Sequence, residues 1–396
     1  MITLTQSLFM LTATLWWPYW SLFIVELGAT KTQLGIVLML EQSTQLVLQL
    51  PGGILADRLG RKKVIVLSSV FRALSPLAYL AANKWYLIPV GMILTQFSSM
   101  MMPAVNALIA ESVAPENRAA AFGTYRMMTW MPMMFTALIG GMIVDILGVI
   151  PGVKFCVVLT LVVACLNVFL RWRYLEDTYV AFPTESRREG GWRNLVGELR
   201  TVPRVIWGLI VVASLSSISI RLTRNFMVVY ASETISLTPI QWGIITTAVS
   251  VVSTVLTIPS GILSDRIGRK PVITVSRVLG PASLLGFTLS HDFIQVLGSR
   301  LVGAVGDGFG GTVMGIRGGP AWQALVTDII PPDKRGSTLG LMGTITGLLS
   351  LPATWIGGYL YDFVSPLITF QTGFTFGLVA TVLFIIMVKE PEEKTS

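Results

Sequence analysis

Pro51-Gly-Gly-Ile-Leu-Ala-Asp-Arg-Leu-Gly-Arg-Lys62 returns 208 residues later as Pro259-Ser-Gly-Ile-Leu-Ser-Asp-Arg-Ile-Gly-Arg-Lys270. Two further segments repeat in the same order. Pro103-Ala-Val-Asn-Ala-Leu-Ile-Ala-Glu-Ser-Val-Ala-Pro-Glu-Asn-Arg118 corresponds to Pro320-Ala-Trp-Gln-Ala-Leu-Val-Thr-Asp-Ile-Ile-Pro-Pro-Asp-Lys-Arg335 at an offset of 217. Ile139-Gly-Gly with Asp145 corresponds to Ile356-Gly-Gly with Asp362 at the same offset. Three ordered matches make the chain an internal duplication.

What is duplicated follows from composition. Of the 396 residues 53% are apolar and 13% charged, with a mean hydropathy of +0.71. A soluble domain carries about 25% charged residues. The apolar residues fall in runs of about 20, the length of a helix that crosses a bilayer. A soluble enzyme, a disordered chain and a nucleic-acid binder are thereby excluded. Twelve spans are predicted, near 6–27, 33–55, 63–81, 86–110, 120–144, 152–170, 205–230, 240–262, 271–289, 293–327, 338–361 and 367–388. Cys156 and Cys165 both lie in one apolar run, and His291 is the single histidine, so neither a disulfide framework nor a metal or other cofactor site is expected. The N-terminus shows no signal-peptide pattern.

Charge sets the orientation. With the N-terminus inside, the cytoplasmic loops and tail hold 19 of the 29 Lys and Arg, and the outer loops hold three, Lys31, Lys84 and Lys154. That is the positive-inside signature, so both termini are expected in the cytoplasm of a multi-pass cell-membrane protein. The expected organisation is a six-helix bundle at 1–170, a cytoplasmic linker at 171–204, a second bundle at 205–390 and a tail at 391–396. Both halves start inside, which makes them parallel repeats about an axis along the membrane normal, with a cavity between them.

Gly53-x-x-x-Asp57-Arg58-x-Gly60-Arg61-Lys62-Lys63 resembles the signature loop between spans 2 and 3 of the major facilitator superfamily, and Gly261-x-x-x-Asp265-Arg266-x-Gly268-Arg269-Lys270 echoes it in the second half. The resemblance covers nearly the whole chain. It implies an all-α membrane protein of twelve transmembrane helices in two pseudo-symmetric six-helix bundles. It further implies a secondary transporter working by alternating access, with spans 1, 4, 7 and 10 lining the pathway and the signature loops latching the cytoplasmic side. On that basis Gly53, Asp57, Arg58, Gly60, Arg61, Lys62, Asp265, Arg266, Gly268 and Arg269 are assigned to a cytoplasmic gate, and Glu111, Arg118, Asp328 and Arg335 are expected to form further pairs there. Glycine permits a tight reversal between two helices, and cations beside a helix C-terminus are favoured by its dipole. One departure from the drug-exporting branch stands out: span 5 reads Thr136-Ala-Leu-Ile-Gly-Gly141, without the Gly-Pro of that branch.

Charges inside spans cost roughly 2.5–3.5 kcal/mol at mid-helix, so each needs a reason. Glu41, with Gln45 and Gln49 one and two turns on, forms a polar stripe on span 2. A carboxylate so placed is a candidate proton carrier, unless Arg72 or Arg126 pairs with it. Ser214, Ser217, Arg221 and Arg224 share one face of span 7. Span 10 holds eight glycines between Gly303 and Gly319, with Asp307 and Arg317 among them. Such an interrupted helix marks a binding site in transporters; a lengthened loop is the alternative. Trp16 and Trp17 sit too deep in span 1 for interfacial anchors, and together with Trp20 they are assigned to an apolar wall of the pathway.

The functional expectation is a proton-coupled carrier of a small organic solute. Glu41 and Asp307 carry protons, and Arg221, Arg126 and Arg317 bind a negative group with Gln45 and Gln49 nearby. Arginines outnumber acids at span centres, which favours an organic anion or zwitterion. The expected partners are a small-molecule substrate, the proton as co-ion and the lipid bilayer, with no nucleic acid, and the protein is expected to be a monomer. The rivals are a polyspecific multidrug exporter, suited by methionines in spans 4 and 5, and a non-transporting sensor that kept the fold. No nucleophile–base constellation points to an enzyme.

Overall fold

The computed structural model describes residues 1–114, 117–175, 204–310, 319–330 and 335–388. Every regular element among them is helical. Ten helices are long and apolar enough to cross a bilayer: Ile2–Glu26, Arg61–Ala81, Trp85–Asn106, Ala121–Leu147, Val149–Tyr174, Val205–Glu233, Pro239–Ile267, Arg269–Thr288, Thr338–Phe363 and Pro366–Met387. The other two expected spans are span 2, a continuous helix Lys31–Leu59, and span 10, present as Phe293–Gly308 and Pro320–Ile329. The first half of span 10 stops at a left-handed Gly310, φ +87°, and residues 311–318, with Arg317, lie outside the described residues.

Three junctions need only one residue each. Gly60, Gly148 and Gly268 separate spans 2/3, 5/6 and 8/9, with φ of +88°, +85° and +95°. Their ψ values are 156°, 163° and 160°. That region of conformational space is open essentially to glycine alone. Both signature-loop glycines are therefore where the repeat requires them.

Proline marks the irregularities. Trp17–Tyr19 is a 3-10 turn around Pro18 in span 1, and Met131–Phe135 is another around Pro132 in span 5. Proline lacks the N–H that continues an α-helix. Span 4 tightens over Ser98–Met100, where Pro103 cannot donate to the carbonyl four residues back, that of Ser99.

The chain forms two compact units. One comprises Met1–Tyr179, Arg224–Ser250 and Thr354–Pro366; the other comprises Val180–Thr223, Val251–Ala353 and Leu367–Ser396. The first unit thus takes the end of span 7, the start of span 8 and the end of span 11 from the second sequence half. Within it a small apolar core of Val64, Ile65, Met101, Ala104, Val105 and Leu108 lies at one end of spans 3 and 4. The second unit is built around Leu209, Val272, Trp322, Leu325 and Phe384. Span 6 continues to Tyr174, so Arg171, which the charge count places in the linker, belongs to the helix and is 1% exposed. The rest of the linker from 176, and the tail, lie outside the described residues.

Candidate functional site

At one end of the first unit the starts of spans 2 and 8 are built alike. Thr30 and Gln33 form a reciprocal cap: Gln33 N donates to Thr30 Oγ1 at 3.2 Å, and Thr30 N donates to Gln33 Oε1 at 2.9 Å. Thr238 and Gln241 repeat it at 3.3 and 2.9 Å, 208 residues on. Such a box satisfies two orphan amides of the helix start. Two residues later each helix carries a glycine against a neighbour's backbone. A Cβ on Gly35 would stand 2.6 Å from the Thr354 carbonyl oxygen, and one on Gly243 would stand 2.7 Å from that of Ala137. The other sides of the same crossings are also glycine: Gly358 lies against Lys31 and Thr32, and Gly141 against Pro239 and Ile240. Spans 2 and 11 and spans 8 and 5 therefore cross by backbone contact at positions related by the repeat.

Polar side chains lock these crossings. The Asp362 carboxylate accepts from Lys31 N at 3.2 Å, Thr32 N at 2.7 Å and Thr32 Oγ1 at 2.7 Å. A carboxylate at a helix N-terminus meets both the free amides and the positive end of the dipole. Lys31 Nζ pairs with Glu233 at 2.8 Å and lies 5.8 Å from the centroid of the Tyr361 ring. At the second crossing the Tyr19 hydroxyl lies 2.7 Å from Ala137 O and 3.2 Å from Pro239 O. The signal for the caps and the glycines was in the sequence: Thr-x-x-Gln-x-Gly occurs at 30–35 and at 238–243.

Of the expected coupling residues, Glu41 accepts from the buried Gln96 Nε2 at 3.0 Å, which ties span 2 to span 4. Gln45 is half-buried, and the side chain of Gln49 lies outside the described set. Arg72, a possible counter-charge for Glu41, bonds elsewhere. Its Nη1 donates to Gln6 Oε1 at 3.0 Å, its Nε to Ser98 Oγ at 3.4 Å, and its guanidinium lies 4.4 Å from the Phe9 ring. Arg171 joins the same cluster, donating to Gln6, Thr5 and Ser69 at 3.3, 3.1 and 2.9 Å. Asp307 is exposed in the last turn of Phe293–Gly308.

The tryptophans separate. Trp16 and Trp20 are buried against Tyr79, with ring centroids 5.8 and 4.7 Å away, and Trp16 Nε1 donates to Thr160 Oγ1 at 3.1 Å. Trp17 is 51% exposed. On span 7, Ser214 and Ser217 are buried, Arg221 half-buried and Arg224 exposed. The Arg126 side chain lies outside the described set, and Met127, Met128, Trp130 and Met131 beside it are exposed.

Among the gate residues, Arg269 pairs with Asp328 inside the second unit. Arg335 does not meet Asp328; its Nε donates to Thr327 O at 3.1 Å and Ile330 O at 3.4 Å, capping the carbonyl end of Pro320–Ile329. Asp265 and Arg266 are exposed, and Arg61 and Lys62 half-buried at the start of span 3. The backbones of Gly53, Asp57 and Arg58 belong to the span 2 helix, and Glu111 and Arg118 close and open helices; the side chains of these five lie outside the described set.

Comparison with known proteins follows the same lines. A family model described as Major Facilitator Superfamily matches residues 2–231 and 209–396. An uncharacterized MFS-type transporter of Methanocaldococcus jannaschii, MJ1317, is 36% identical over 132 residues, covering 33% of this chain and 30% of that protein. The quinolone resistance protein NorA of Staphylococcus aureus is 25% identical over 162 residues, covering 41% of this chain and 39% of its own. The matched stretches thus span well under half the length of these relatives. Among solved structures, the inward open xylose transporter XylE of E. coli has a TM-score of 0.72 at 17% identity, covering 100% of this chain and 97% of its own. The nucleoside transporter NupG has a TM-score of 0.71 at 15% identity, covering 98% and 99%.

Proposed function

The chain belongs to the Major Facilitator Superfamily, and from that premise we propose that it is a secondary carrier of a small organic solute, working by alternating access, with the crossings of the first unit serving as its outer closure. The observation that carries the reading is the pair of repeat-related crossings, Gly35/Gly358 and Gly141/Gly243. Spans meet there through bare backbone and a few polar locks. Such a contact can part and re-form without unpacking a side-chain core, as alternating access demands. The positive-inside count supports an outer position for this end.

For coupling, Glu41 is the proton carrier. Its bond to Gln96 links span 2 to a span that lines the pathway in this family. Protonation would weaken a bond in which the carboxylate oxygen is the acceptor, and so alter how spans 2 and 4 hold together. Asp307 is the second candidate. Arg221, Arg126 and Arg317 receive the negative group of an organic anion or zwitterion, and Trp17 is the member of the tryptophan group left exposed to meet a solute. The gate residues act on the cytoplasmic side, where Arg269 and Asp328 bind within one unit.

Proteoliposomes with an imposed pH gradient test this. Wild type is expected to accumulate its solute, and Glu41→Gln to lose the gradient-driven component while keeping exchange down a solute gradient. Equal gradient dependence in both proteins would remove Glu41 from coupling. The partial match to NorA and the exposed Met127, Met128, Trp130 and Met131 favour a second reading, a multidrug exporter. Soft thioethers and aromatic faces suit varied lipophilic cations. A resistance assay with such cations decides between them.

A further inference from the structure

Arg277, in span 9, is 4% exposed and belongs to none of the expected sites. Its surroundings are well defined. Thr381 Oγ1 donates to its carbonyl at 2.9 Å, which fixes the backbone against span 12. Its Nη1 donates to Ser216 Oγ at 3.0 Å on span 7. The rings of Trp322 and Phe384 lie with centroids 5.0 and 4.6 Å from the guanidinium carbon. The rings stabilise the charge through their faces but accept nothing in the guanidinium plane. The remaining donors, Nε and Nη2, are buried and make no hydrogen bond among the described residues.

Those two donors are not a random pair. Nε–H and the adjacent Nη2–H point the same way along one edge of the guanidinium, the fork that takes both oxygens of a carboxylate. Buried donors are almost always satisfied, and a buried charge with unmet donors is among the costliest features a fold can retain. The contrast inside this protein is direct. Arg171, equally buried, spends all three of its nitrogens on Gln6, Thr5, Ser69 and the Met101 sulfur.

We propose that the Nε/Nη2 edge of Arg277 is a binding site for a carboxylate-type oxyanion in the second unit. Trp322 and Phe384 are fully buried, and Ser216, half-buried on span 7, holds the Nη1 end away from the Nε/Nη2 edge. The site deepens the preference for anions argued above and rests on that reading only if its occupant is the transported solute; oxyanion binding itself is measured without transport.

The test is thermal unfolding of the purified full-length protein in sodium formate, acetate or chloride at equal ionic strength. Formate and acetate are expected to raise Tm above its value in chloride, since two carboxylate oxygens match the two parallel donors one to one and a single spherical halide must share itself between them. Arg277→Lys keeps the charge and lacks the fork, so the formate advantage should vanish in it. Equal Tm in all three salts for wild type, or an advantage retained by Arg277→Lys, would overturn the proposal. If Arg277→Lys does not fold, arginine-selective 15N labelling of wild type decides. One slowly exchanging Nε–H resonance should move on formate titration and stay on chloride titration; no formate-specific movement overturns the site. Native mass spectrometry distinguishes the sources. A retained fatty-acid mass in wild type assigns a lipid carboxylate, and a formate response without such an adduct assigns a water-soluble one.

Discussion

Asp362 shows how a single residue can tie one helix crossing. Its carboxylate caps a helix start 330 residues away in the chain through three hydrogen bonds. Asp362→Asn keeps the shape and loses the charge and one acceptor, and should weaken the closure by roughly 0.5–2 kcal/mol, the range of a helix cap. The measurement is the rate at which an impermeant maleimide reacts with Thr354→Cys in a Cys165→Ser background: it should rise with Asp362→Asn, and an unchanged rate would mean the cap is incidental. Asp145 is the repeat equivalent of Asp362, yet the residues it would cap are Pro239 and Ile240, and proline offers no N–H. The sequence reading treats Asp145 as interfacial, and it is exposed. Glu41 was legible as an anomalous charge. Its acceptance of Gln96 was not, because partners on different helices are set by rotation and depth, which periodicity within one helix does not encode.

At the scale of elements, the glycine junctions and glycine crossings behave differently under substitution. Gly60→Ala and Gly268→Ala force a Cβ into a region of φ and ψ reserved for glycine, at about 1–3 kcal/mol each. Both should lower Tm, and comparable melting of wild type and variants would contradict the strained junction. Gly243→Leu meets no φ restriction but would thrust a side chain into the Ala137 carbonyl. It should leave the fold intact and hold the crossing open, so solute binding from outside persists while uptake in proteoliposomes falls to background. Retained uptake would mean the crossing does not gate. Helix existence and the one-residue reversals could be read from hydropathy runs and from the Asp-Arg-x-Gly-Arg repeat. The repeated Thr-x-x-Gln-x-Gly lay equally open to a search at the 208 offset. The 3-10 turn at Ser98–Met100 had its signal one turn downstream, in Pro103, which offers no N–H to the Ser99 carbonyl.

For the whole molecule, charge predicts a definite orientation. Lys84→Cys should react with an impermeant maleimide in intact cells, and Arg266→Cys only after lysis; the reverse pattern would invert the protein in the membrane. Two halves of one ancestral design also need not stay equivalent. The first half gathers Arg72 and Arg171 around Gln6, while the second keeps Arg277 between aromatic rings and a serine. Duplicated backbone positions preserve the crossings, because backbone approach needs only glycine. Side-chain clusters diverge, because each needs several residues to change together.

The amino-acid sequence by itself determined that the chain enters a membrane as many helices, that it is a tandem duplication, and that glycine turns its signature loops. Those properties are local: transfer free energy adds residue by residue along a span, and a left-handed turn is decided at one α-carbon. Only the tertiary structure decided that Arg171 lies inside a bundle, that Asp328 meets Arg269 and not Arg335, and that Arg277 keeps one donor edge without an acceptor among the described residues. Each of these depends on which faces of separate helices are brought within 3 or 4 Å, roughly the reach of a hydrogen bond or ion pair, and that is a property of packing with no counterpart in the order of residues along the chain.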